Sequence, residues 1–163
     1  MNFTAEIESK IEIITNNSHY TALTIILICS IVATFVLLVC LAIYIEEKDK
    51  KNIIIGTILA AAIAGIISSS IAINNEKKNI ENDIKEILEI ISCNEDCSTI
   101  SINENKSRTD MFRMDLDITF NYGKLENPMT YTIRSVPYKI FDAAIDYAQF
   151  LNNRKIANNS NVN

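Results

Sequence analysis

The sequence predicts a membrane α-helical hairpin of two transmembrane helices carrying a small C-terminal α+β domain of helix, about three antiparallel strands and helix. Three observations predict it. Thr21 to Ile45 and Ile53 to Ile73 contain no charged side chain, and a short polar stretch separates them. Phe112, Met114, Leu116, Ile118 and Phe120, then Met129, Tyr131 and Ile133, alternate with polar residues as half-buried strands do. Val136 to Asn152 repeats apolar residues at helical spacing. The chain accordingly divides into an amphipathic N-terminal segment (1–20), transmembrane helix 1 (21–45), a polar turn (46–52), transmembrane helix 2 (53–73), a soluble α+β domain (74–152) and a disordered tail (153–163).

In residues 1–20, Phe3, Ile7, Ile11 and Ile14 share one helical face and Asn16 and Asn17 end the pattern. The segment reads either as an interfacial helix and partner-binding handle or as a helix lying on the protein's own domain. A signal peptide is not expected, because the leading residues are acidic and the apolar run behind them is too long for an h-region. His19 reads as an interfacial polar residue, and Tyr20 and Tyr44 bracket the first span as headgroup anchors do.

At 1.5 Å per residue the first span reaches about 37 Å and the second about 31 Å, against a hydrocarbon core of roughly 30 Å. The Leu, Ile, Val and Phe residues of the first give about 4 to 9 kcal/mol of gross preference for the bilayer. Cys29 and Cys40 inside it read as small packing hydrophobes. The second span is more marginal and calls for a partner helix. Gly56, Ala60, Ala64, Ser68 and Ala72 recur every four residues, with Thr57, Ala61, Gly65 and Ser69 as a second row beside them. This small-residue helix-packing face fits close right-handed crossing. It serves either the first span, through Ser30, Ala33 and Thr34, or a second copy.

Beyond the second span no Pro or Gly occurs until Gly123, so the helix is expected to continue toward residue 92. Ile80, Ile84, Ile87 and Ile91, widened by Leu88, form a heptad seam that either docks on the following sheet or builds an oligomeric stalk. Glu81 and Lys85 form a favourable i,i+4 pair. Cys93 and Cys97 are a possible disulfide on an oxidising side, a reduced thiol pair on a cytosolic one, or half of a metal site. The metal reading is poor because the domain holds no further Cys and no His.

Ile100 and Ile102 open the first strand. On the second, Asp115 and Asp117 lie about 7 Å apart by period-2 geometry. Paired carboxylates can hold a cation or transfer protons; with Arg113 and Arg134 near, a solvated salt-bridged face is the simpler reading. The last helix is expected from Ser135 or Val136, with Pro137 in its first turn and Ile140, Phe141, Ala144, Ile145, Ala148 and Leu151 as its apolar stripe. The Asn-rich end lacks a hydrophobic pattern.

A net charge of −5 leaves no basic footprint for nucleic acid. No nucleophile–base pair, phosphate loop or metal cluster appears, so no enzyme and no cofactor is expected. The reading is a non-enzymatic, multi-pass cell-membrane protein that anchors a small domain for protein–protein interaction or regulation. Its partners are the lipid bilayer and either itself or another membrane protein. Both termini share one side, leaning cytoplasmic. The alternative is a holin-like pore built from oligomerised spans.

Overall fold

The structure, a computed structural model, describes residues 3–17, 20–44, 51–110, 113–123 and 128–160. Among them are four helices, two of them long and apolar over residues 22–40 and 56–93, and a three-stranded antiparallel sheet followed by a C-terminal helix. The order is α1 (Phe3–Asn17), α2 (Tyr20–Tyr44), α3 (Lys51–Cys93), β1 (Cys97–Asp110), β2 (Arg113–Tyr122), β3 (Met129–Pro137) and α4 (Tyr138–Ser160). The chain divides into two compact units: residues 19–76, and a lobe made of residues 1–18 with 77–163.

In the lobe the strands run in the order β1-β2-β3. Met114, Leu116, Ile118 and Phe120 of β2 are buried on one face, the period-2 consequence of their alternation. Ile80, Ile84, Ile87, Leu88 and Ile91 of α3 join them, as do Ile140, Ala144, Ala148 and Leu151 of α4. The heptad seam therefore docks on the lobe's own core. The predicted Glu81–Lys85 pair forms at 2.7 Å.

Helix α1 belongs to the same core: Ile7 and Ile14 are buried, and Phe3 stacks on Tyr122 at 5.3 Å and meets Phe120 edge-on at 6.2 Å. It is thus a helix lying on the protein's own domain. Lys10 reaches Glu86 of α3 at 2.7 Å. On the opposite flank of α3, Tyr147 of α4 donates its hydroxyl to Glu89, and the Lys85 ammonium lies 5.7 Å from its ring centroid. Helix α3 therefore runs between α1 and α4.

Several boundaries differ from expectation for physical reasons. The expected polar turn falls mostly on residues 45–50, outside the described residues, and Lys51 and Asn52 already belong to α3. His19 and Phe112 also lie outside them, as do the side chains of Tyr20 and Tyr44. Ser135, Val136 and Pro137 do not cap and open α4; they end β3, and the helix begins at Tyr138. A register shift between Met114 and Leu116 marks a bulge opposite Asp115, with Ser135 at φ 62°. The left-handed backbone costs a serine roughly 1 to 2 kcal/mol. Offsetting it, the Ser135 N–H donates to the Asp115 carboxylate at 3.0 Å. The bulge carries β3 from Ile133 to Val136 on the buried face, which alternation without a bulge would not do.

The 153–163 tail is likewise not irregular throughout, since α4 continues to Ser160. Asn152 and Lys155 in these turns are held by β1 and by the end of α3, contacts that no local hydrophobic pattern announces.

Because α1 is part of the core, Ile7→Ala is expected to lower the lobe's unfolding free energy by about 2 to 5 kcal/mol. Urea denaturation of the full chain followed by circular dichroism measures it. An unchanged midpoint would mean that α1 is not docked.

Candidate functional site

The Cys-Asn-Glu-Asp-Cys stretch joins α3 to β1. The last carbonyls of a helix have no partner within it and carry partial negative charge. Here a lysine from a distant helix takes them: Lys155 Nζ donates to the carbonyls of Ser92 (3.4 Å), Asn94 (2.9 Å) and Cys97. Asn94 shapes the turn, its side-chain oxygen accepting the Asp96 N–H at 3.0 Å and its carbonyl accepting the Cys97 N–H at 3.2 Å. One turn earlier on α4, the Asn152 amide accepts the Ile100 N–H at 3.0 Å and donates to the Ile100 carbonyl at 2.8 Å. That two-point contact occupies the outer edge of β1 as a neighbouring strand would.

Both thiols are free. Cys93 is exposed and lines a depression of about 380 Å³ with Glu89, Ser92, Arg154 and Asn158. Cys97 is buried and borders a separate one of about 320 Å³ with Thr99, Asn152 and Ile156. Lys155 lines both. Burial pushes the Cys97 thiol up; Lys155 draws it down less strongly and Asp96 adds to the rise. Cys97 is therefore a protonated packing thiol rather than a nucleophile. Lys155, its donors engaged by three carbonyls, is a strut rather than a base.

The two acids of β2 also act structurally. Asp115 is 7% exposed and holds the Ser135 N–H. Asp117 accepts the Thr132 hydroxyl at 2.6 Å and the Asn105 amide at 3.2 Å. The expected salt-bridged face is thus, at these two residues, a set of cross-strand bonds from neutral donors. Among the described residues no group of three or more His, Cys, Asp and Glu side chains is placed to hold a metal ion.

Comparison with family models, curated proteins and solved structures finds no match to this chain. Its function is therefore read from the geometry alone.

In the unit of residues 19–76, Leu23, Thr24, Leu27, Ser30, Thr34, Leu37 and Cys40 are half-covered on α2, and Leu59, Ala62, Gly65, Ile66, Ser69, Ala72 and Ile73 are covered or half-covered on α3. The two helices approach each other at Gly65, where an added Cβ would sit 3.6 Å from Ser30 Oγ. Gly65, Ser69 and Ala72 face inward, but Gly56, Thr57, Ala60, Ala61, Ala64 and Ser68 are exposed and Ala33 faces away. The small-residue face is therefore mostly not the intramolecular contact. Leucines and isoleucines on every side of both helices hid the covered positions in the sequence.

Three hydroxyls of these apolar helices bond within their own helix: Ser30 to the Ile26 carbonyl at 2.8 Å, Thr34 to that of Ser30 at 2.8 Å, Ser68 to that of Gly65 at 3.1 Å.

Two measurements check the junction. An impermeant maleimide on the detergent-solubilised chain should modify Cys93 quickly and Cys97 slowly. Equal rates in the unaltered chain would contradict the burial. For Tyr147, the hydrogen bond to Glu89 is the first cause holding its phenol above the ordinary value. Its stabilisation is complete below the unfolded value of about pH 10 and is lost as pH rises through the raised one. Tyr147→Phe should therefore flatten part of the alkaline loss of thermal stability.

Proposed function

We propose that this is an integral membrane protein in which α2 and the apolar part of α3 cross a bilayer and tether the lobe as a non-enzymatic interaction or regulatory module. The observation that carries the reading is the covering of α2. Its Ala22–Cys40 window has a hydropathy of 3.0, and 0% of it is buried within the protein. A core helix of that composition would be enclosed by its own chain. Instead Phe35 is 67% exposed and Ile25 57%. A surface of that length and composition fits the hydrocarbon core of a bilayer.

The chemistry of the lobe supports a role in binding rather than catalysis. Lys155 is engaged by carbonyls, Cys97 is protonated, and Asp115 and Asp117 hold structural donors. The termini lie on one side, taken as cytoplasmic, and the uncovered small-residue face offers self-association or another membrane protein a place to pack. A holin-like pore has less support, because Ser30 and Thr34 are half-covered and bonded to their own helix.

Alkaline carbonate extraction of vesicles tests the membrane reading. The chain should stay in the pellet, and release into the supernatant would end the proposal. In the same vesicles Gly65→Ile should separate the two helices, whereas Gly56→Ile, with nothing within 4 Å of its Cβ position, should leave the pair intact. Protease protection of a tag placed in the polar turn reads out the pairing.

A further inference from the structure

We draw no further inference here: the strongest candidate, the depression of about 380 Å³ between the end of α3 and α4 that Cys93 lines with Glu89 and Arg154, belongs to the junction already described, and nothing in the structure beside that single exposed thiol points to a ligand.

Discussion

The lobe depends on one burial: the isoleucine seam of α3 against the inner face of a three-stranded sheet. Ile84, Ile87, Leu88 and Ile91 are at most 1% exposed and belong to one continuous core with buried residues of β2, β3 and α4. A three-stranded sheet leaves one face bare and cannot hold itself in water. The seam supplies that face, and α1 and α4 complete the layer on either flank of α3. Without the sheet the seam would be only two heptads long, too short for a stable coiled coil.

Around that core the ends and edges are closed by single polar side chains arriving from far along the chain. Lys155 takes the carbonyls at the end of α3, Asn152 covers Ile100 on the β1 edge, and Asp115 holds the bulge at Ser135. Each replaces a backbone partner that regular structure fails to supply, which is why α4 keeps its helical turns beyond Leu151. Burial pushes the Tyr131 phenol up, with Glu8 and Cys97 acting the same way, and its ring stacks on Phe120.

In the other unit the governing constraint is the absence of protein around α2. Two helices cannot cover each other on all sides, and a helix apolar all round must find its remaining partner in lipid or in other chains. On α3 the covered side carries Leu59, Ala62, Gly65, Ile66 and Ser69, and Gly56, Ala60, Ala64 and Ser68 lie exposed.

The sequence by itself determined what depends on local periodicity: charge-free runs that make α2 and the start of α3 apolar, alternation that makes β2 a half-buried strand, and 3–4 recurrence that buries α3 and α4. Tertiary structure decided what depends on residues far apart in the chain. The docking of α1 is one example, since an amphipathic segment binds membrane or domain equally well until a matching surface is present. The C-terminal turns of α4, the end of β3 and the placement of the two cysteines on different sides of Lys155 are others. In each case the deciding contact joins residues twenty or more positions apart, such as Ser135 to Asp115, Lys155 to Asn94 or Phe3 to Tyr122, and no window of local sequence contains both partners.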